Sequence, residues 1–302
     1  MRISAKSLAA LAAAALVGCT MPSEAPIAGR SPDGLMAWPD LLERPRAEPS
    51  ATIRYGADSM QLVDLWLPDG AGPHPTVLMV HGGCWQTEIA DRRIMSWISD
   101  DLRGRGIAVW NIDYRGVDRA GGGYPGTFLD AAAAADALRE HAPHYNLDIS
   151  RLVAVGHSAG GHLALWLAAR PRLPAGSALR TPDPIPIRTV VSLGGLPDLE
   201  EAARPPGSGC GTEVIERLTG GRFEDSSVPR LAPLGVAQIL INGLQDRIIP
   251  TAYAEGYAGP VRASGDEVRV RMIDRTGHVE LIAPGTGAWA AAAEEIERAL
   301  GR

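Results

Sequence analysis

Gly156-His157-Ser158-Ala159-Gly160 is the stretch of this sequence best equipped to do chemistry. It follows an apolar, β-prone run at 152–155 and precedes a helical run at 161–169. A serine at such a strand–turn–helix junction is thrust out above a sheet, where its hydroxyl can attack. Glycines flank it because side chains would clash in so sharp a turn. The helix that follows aims its N-terminal dipole at developing negative charge. The implied chemistry is nucleophilic attack on a carbonyl.

A serine hydroxyl is a weak nucleophile without a base. Where such a turn carries the nucleophile, an acid and then a histidine follow it in the chain. Beyond Ser158 the sequence has only His162 and His278. His162 lies four residues past the serine on the same helix, where it points into the fold. His278, after the strand predicted over 268–273, is the expected base. For the acid, Asp246 follows a predicted strand over 238–241, Asp198 follows one over 189–193, and Asp274 precedes the histidine closely. Asp246 is preferred and Asp198 is next. Either of their loops lies at the end of a parallel sheet where sites form. The acid would fix the imidazole tautomer and stabilise the imidazolium.

His81-Gly82-Gly83-Cys84-Trp85 follows a short apolar run at 77–80. It resembles the HGGG-type oxyanion loop of lipases and esterases. The backbone N–H of Gly82 or Gly83 would join that of Ala159 in binding an oxyanion, with His81 bracing the loop. Trp85 has two readings, a wall of the substrate pocket or a buried tryptophan.

These residues need elements to hold them. Strands are expected over 52–55, 61–67, 77–80, 107–112, 152–155, 189–193, 238–241 and 268–273. Helices are expected over 92–105, 128–141 and 288–300, among others. Strands alternating with helices argue for an α/β fold with a doubly wound, mostly parallel sheet. The stretches 170–188 and 197–233, rich in proline and glycine, interrupt the alternation. Long interruptions of this kind are often lids or binding loops; the family resemblance described below implies no large cap domain.

The 302 residues are 45% hydrophobic and 21% charged, with a formal net charge of -6. This is ordinary globular composition, and no clustered basic face suggests nucleic-acid binding. No H-E-x-x-H or paired C-x-x-C motif is present, so no metal site is expected. No cofactor is expected either. Residues 121–126 satisfy G-x-G-x-x-G, but they do not directly follow a strand, so they read as a loop rather than a dinucleotide site.

The start of the chain is a separate unit. Arg2 and Lys6 precede an alanine-rich apolar run at 8–17, too short to span a bilayer but typical of an export signal. Leu16-Val17-Gly18-Cys19 resembles the lipobox of bacterial lipoproteins. That resemblance implies cleavage after residue 18, lipidation of Cys19 and a membrane anchor facing the periplasm. A plain signal peptide is the alternative, and a cytoplasmic protein the outcome if the signal reading fails. The expected organisation is a signal over 1–18, a tether over 19–35 and one hydrolase domain over 36–302. Leu35, Met36, Trp38, Leu41 and Leu42 are too apolar for a tether and should dock on the domain.

His81 to Trp85, Gly156 to Gly161, Asp246 and His278 together resemble the α/β-hydrolase superfamily, on its esterase and arylformamidase (kynurenine formamidase-like) branch. Asp246-Arg247-Ile248-Ile249-Pro250 matches that family's pattern around the acid. The resemblance implies a serine hydrolase acting on a small-molecule ester, with N-formyl or other small amides as the alternative. A peptidase and a non-catalytic binding protein are less favoured. Cys84 and Cys210 leave two readings open, a disulfide in an oxidising compartment or two buried thiols. Oligomeric state is not legible.

Overall fold

A computed structural model of the protein describes residues 34–205 and 207–302. The signal over 1–18, Cys19 and most of the expected tether lie outside the described residues.

Eight strands form one sheet: β1 (Ala51–Arg54), β2 (Leu62–Trp66), β3 (His74–Val80), β4 (Ala108–Ile112), β5 (Leu147–His157), β6 (Thr189–Leu193), β7 (Ala237–Gly243) and β8 (Val268–Ile273). Their order is β1-β2-β4-β3-β5-β6-β7-β8. β2 runs antiparallel to β1 and β4, and the remaining pairs are parallel. This is the doubly wound, mostly parallel α/β-hydrolase sheet that the alternation of elements predicts.

Nine helices surround it among the described residues: α1 (Trp38–Leu42), α2 (Ser96–Gly104), α3 (Gly126–His141), α4 (Ala159–Ala169), α5 (Leu199–Ala203), α6 (Thr212–Thr219), α7 (Phe223–Ser226), α8 (Ala252–Ala263) and α9 (Gly287–Ala299). Successive side chains of a strand point to opposite faces, and β3 shows the consequence. Leu78 and Val80 join one buried cluster with α3, α4 and α8. Val77 and Met79 join another with Leu41 of α1, α2 and α9. A strand covered on both faces is apolar throughout rather than alternating, and all seven residues of β3 are buried. The same logic explains α4, whose eleven residues are all buried; a helix without a polar face belongs in the interior.

The parallel register makes the active end of the sheet. Val80 pairs with Gly156, His157 with Leu193, Leu193 with Ile241, and Gly243 with Ile273. The C-terminal ends of β3, β5, β6, β7 and β8 therefore finish level. The loops bearing His81, Ser158, Gly194, Asp246 and His278 leave the sheet along one edge, as ligand sites of such sheets require.

The interruption over 197–233 packs on the domain and sends Gly209 to the cavity of Ser158. It folds into α5, α6 and α7 and buries Leu199, Ile215, Leu218 and Val228 in the core. Trp166 of α4 donates its indole N–H to the Asp225 carbonyl (2.8 Å). The stretch over 170–188 likewise buries Leu179, Ile185 and Ile187. The glycine loop over 121–126 leads into α3 and lies against other backbone: a Cβ on Gly122 would meet the Gly116 carbonyl oxygen at 1.8 Å.

Candidate active site

Ser158 occupies the turn between β5 and α4 with φ 55° and ψ -124°. A non-glycine residue rarely adopts positive φ, and such strain persists only where the surroundings enforce it. Here the Ser158 N–H donates to the Leu193 carbonyl (2.9 Å), tying the turn to β6. Gly160 shows why the motif needs glycine: a Cβ there would meet the Val80 carbonyl oxygen at 2.1 Å. Backbone from β3 occupies the space a side chain would need.

His278 and Asp246 come together across 32 residues, with His278 Nδ1–H donating to Asp246 Oδ2 at 2.6 Å. Asp246 Oδ1 accepts the N–H groups of Ile248 and Ile249, each at 2.9 Å, so three hydrogen bonds fix the carboxylate. Both side chains are buried. Asp198 is otherwise engaged: it caps α5 by accepting the N–H groups of Glu200 and Glu201. Asp274 is largely exposed beside Arg275 and accepts from Gln245 (3.2 Å). Of the three acids, Asp246 is the one paired with the histidine.

The loop after β3 lies directly on the serine turn. A Cβ on Gly82 would meet the His157 carbonyl oxygen at 2.8 Å and Ser158 Cβ at 3.0 Å. Gly83, Cys84 and Trp85 have consecutive φ values of 102°, 51° and 52°, a left-handed run that turns the loop back. His81 is braced below it. Its Nε2 meets Asp113 Oδ1 at 2.9 Å and its Nδ1 meets the Gly82 carbonyl at 2.7 Å. Tyr114 stacks on its ring at 4.3 Å and donates its hydroxyl to the His81 carbonyl (2.9 Å). Arg92 joins Asp113 to Asp64 underneath, at 2.9 and 2.8 Å. Ala159 is the first residue of α4, and a Cβ on the next residue, Gly160, would meet the His81 carbonyl oxygen of the same loop at 2.4 Å.

A cavity of about 670 Å³ is lined by Ser158, His278, His157, Gly83 and Cys84, with walls from Trp38, Leu42, Ile89 and Ile248. Its size suits a small organic ligand. A larger hollow of about 1070 Å³ lies beyond α1, lined by Asp40, Arg44 and Asp274 among others. It contains neither Ser158 nor His278, so the smaller cavity is the one that holds the candidate nucleophile and base. Among the described residues no cluster of three His, Cys, Asp or Glu side chains is placed to hold a metal ion. No helix among them is long and apolar enough to cross a membrane.

Residues 63–230 match the BD-FAE family model. The chain belongs to the BD-FAE family. It is 25% identical over 291 residues to esterase LipC of Mycobacterium tuberculosis, a match covering 91% of this chain and 68% of LipC. Among solved structures, esterase B from Lactobacillus rhamnosus superposes with a TM-score of 0.72 at 18% identity, covering 87% of this chain and 89% of that one. Esterase 2 of Thermogutta terrifontis, phosphonylated by sarin, superposes with a TM-score of 0.70 at 19% identity, covering 83% of this chain and 94% of that one. At these identities the structures establish the shared α/β-hydrolase fold.

Several features of this BD-FAE chain correct or exceed the sequence reading. Trp85 does not wall the cavity. It is fully buried and meets His162 edge-to-face, with ring centroids 5.5 Å apart. The left-handed turn at Cys84 and Trp85 swings the indole inward, away from the substrate side. The wall is supplied instead by Trp38, from a segment that sequence reasoning only expected to dock. His162 behaves as expected: it is buried, with Nε2–H donating to the Ser226 carbonyl (2.8 Å), and burial lowers its pKa to about 4.

His157 carries a role that motif reading missed. Its Nε2–H donates to the His278 carbonyl (3.1 Å), and its ring lies 4.4 Å from that of His278. Burial, and then the neighbouring His278, hold its pKa well below the usual histidine range. A neutral ring thus supports His278 from below. Gly194, at the end of β6, was also missed. A Cβ there would meet His278 Nδ1 at 3.2 Å and Asp246 Oδ2 at 3.3 Å. The signal available was Gly194-Gly195 directly after a predicted strand. Finally, Cys84 and Cys210 are joined, with Cα atoms 5.2 Å apart, which selects the disulfide over two buried thiols.

Proposed function

We propose that this carboxylesterase-like hydrolase cleaves small-molecule carboxylic esters through a Ser158–His278–Asp246 triad and an acyl-enzyme. The observation that carries the reading is the 2.6 Å contact of His278 Nδ1 with Asp246, in a cavity that also holds the strained Ser158. With Nδ1–H given to the carboxylate, Nε2 is the basic nitrogen. It takes the Ser158 proton as Oγ attacks the ester carbonyl. The N–H groups of Ala159 and of Gly82 or Gly83 donate to the oxyanion; one such donor is worth about 3 kcal/mol. His278 then passes its proton to the departing alcohol oxygen. In the second half it deprotonates water, which attacks the acyl carbon, and the proton returns to Ser158 as the acid leaves.

Replacing Ser158 with alanine tests this. Turnover of p-nitrophenyl acetate should vanish, along with labelling by a fluorophosphonate; a variant that keeps either is incompatible with the triad. Steady-state kinetics on short-chain esters beside N-formyl anilides place the enzyme between the esterase and arylformamidase readings. The esterases among its relatives favour the first.

We further infer that the protein works outside the cytoplasm, anchored through a lipidated Cys19. The basic start, short apolar run and lipobox-like residues support this, and so does the Cys84–Cys210 disulfide, a bond that persists mainly in oxidising compartments.

A further inference from the structure

We propose that Trp38 is a specificity-determining residue for the alcohol half of the ester, and that this half is an extended apolar group. The inference rests on the ester-hydrolase reading above and adds which side of the substrate the N-terminal arm selects.

The arm is fixed in place. The Met36 N–H donates to Glu280 Oε1 at 2.6 Å, while Oε2 of the same carboxylate accepts the Gly277 N–H at 3.0 Å. One buried side chain thus joins the arm to the residue preceding His278. Further along, Leu41 is fully buried. Arg44 donates to the Pro284 carbonyl (2.9 Å), and Trp97 donates its indole N–H to the Pro45 carbonyl (3.0 Å).

A helical turn then sorts the arm's side chains. Trp38 and Leu42, four residues apart on α1, line the cavity of Ser158 and His278, and Arg46, beyond the end of the helix, joins them there. Asp40, Glu43 and Arg44 line the outer hollow. Residues at i and i+4 share one helix face, so α1 is a partition whose apolar face looks onto the reacting groups. Trp38 stands edge-on to His157 and His278, with ring centroids 6.3 Å away in both cases.

Reaction chemistry identifies that side. The histidine that accepts the Ser158 proton must return it to the leaving oxygen, so the alcohol lies against His278. The carbonyl oxygen lies at the opposite donors, on Gly82, Gly83 and Ala159. A wall that touches His278 therefore belongs to the alcohol. The mouth beyond it sets exposed apolar side chains beside the charged Arg46, Glu88, Asp91, Arg93 and Arg247 that also line the cavity: Leu42 is 53% exposed and Ile89 59%, two of the three large hydrophobic side chains left exposed among the described residues. Apolar groups gathered at the mouth of a cleft mark a surface that a ligand covers.

The test uses the full-length protein and two ester series. In one, acetate is constant and the alcohol runs from methanol through butanol to hexanol. In the other, p-nitrophenol is constant and the acid runs from acetate to hexanoate. Wild-type kcat/KM should rise with alcohol length. In Trp38→Ala the hexyl-to-methyl ratio should fall about tenfold or more. The hexanoate-to-acetate ratio should move by less than about threefold, a margin below the smallest such discrimination. Leu42→Ser, at an exposed position, should shift the alcohol ratio in the same direction and covers the case in which Trp38→Ala does not fold. An alcohol ratio unaltered in both folded variants, or a loss confined to the acyl series, overturns the proposal and leaves the esterase reading standing. A wild-type protein that hydrolyses no ester and resists fluorophosphonate overturns both.

Discussion

Cys84, in the loop beside Ser158, is bonded to Cys210, 126 residues further on, with the Cα atoms 5.2 Å apart. The bond joins the helical insertion to the loop proposed to offer the oxyanion donors. That loop needs a restraint. Cys84 and Trp85 both have positive φ, which costs an L-residue roughly 1–2 kcal/mol each.

Removing the bond should therefore affect both stability and catalysis. The Cys84→Ser, Cys210→Ser double variant should lose about 3 kcal/mol of unfolding free energy, measured by urea denaturation. It should also show a kcat reduced by about tenfold or more, because loosened N–H donors stabilise the oxyanion less well. A variant with wild-type kcat would show that Trp85 burial and the His81 brace suffice to hold the loop.

Asp246 and Asp198 follow neighbouring strands and differ in what they bind. Asp246→Asn should lower kcat by about 10⁴-fold with little change in KM, because the amide favours the wrong imidazole tautomer. Asp198→Ala removes the cap of α5 and should cost about 1 kcal/mol of stability while sparing turnover. Exchanged phenotypes, with kcat lost at Asp198, would assign the acid to the other strand.

His162 predicts a dependence of stability on pH. Its pKa falls from 6.5 to about 4 on folding, so below 6.5 the unfolded chain binds the extra proton. The stability it contributes is complete above pH 6.5 and drains away as the pH falls towards 4, by about 1.4 kcal/mol per unit. His157 is lowered for the same first cause, burial, and acts in the same direction. Between pH 7.5 and 5 the wild type should lose about 2 kcal/mol more than His162→Gln. Equal slopes in denaturation series at the two pH values would dismiss the assignment.

Cys19 offers a test of location. Expressed in a bacterium with a lipoprotein pathway, the wild type should fractionate with membranes and take up radiolabelled palmitate, and Cys19→Ser should do neither. Two or three acyl chains, at about 0.8 kcal/mol per buried CH₂, make the anchor stable, so membrane retention of the serine variant would dispose of the lipid anchor.

Much of the candidate site was legible in local sequence because its geometry is local. A serine between glycines at a strand–helix junction, a His-Gly-Gly after an apolar strand and a histidine after the last strand are short-range patterns. Each is dictated by the backbone of a single turn. The strands over 189–193 and 268–273 match β6 and β8 to the residue, since buried β-branched runs bounded by turn residues leave little freedom. The disulfide, the choice between Asp246 and Asp198, and the wall opposite Ser158 depend on which surfaces meet across more than a hundred residues in some cases. No periodicity encodes that. Trp85 and Trp38 make the contrast plain. Both are single tryptophans beside proposed site residues in sequence or in space, yet a left-handed turn buries the first, and a carboxylate from Glu280 fixes the arm that brings the second to the cavity. The sequence by itself determined the reaction class. Only tertiary packing decided what surrounds the reacting atoms, because a side chain's neighbours depend on how distant segments are joined and packed.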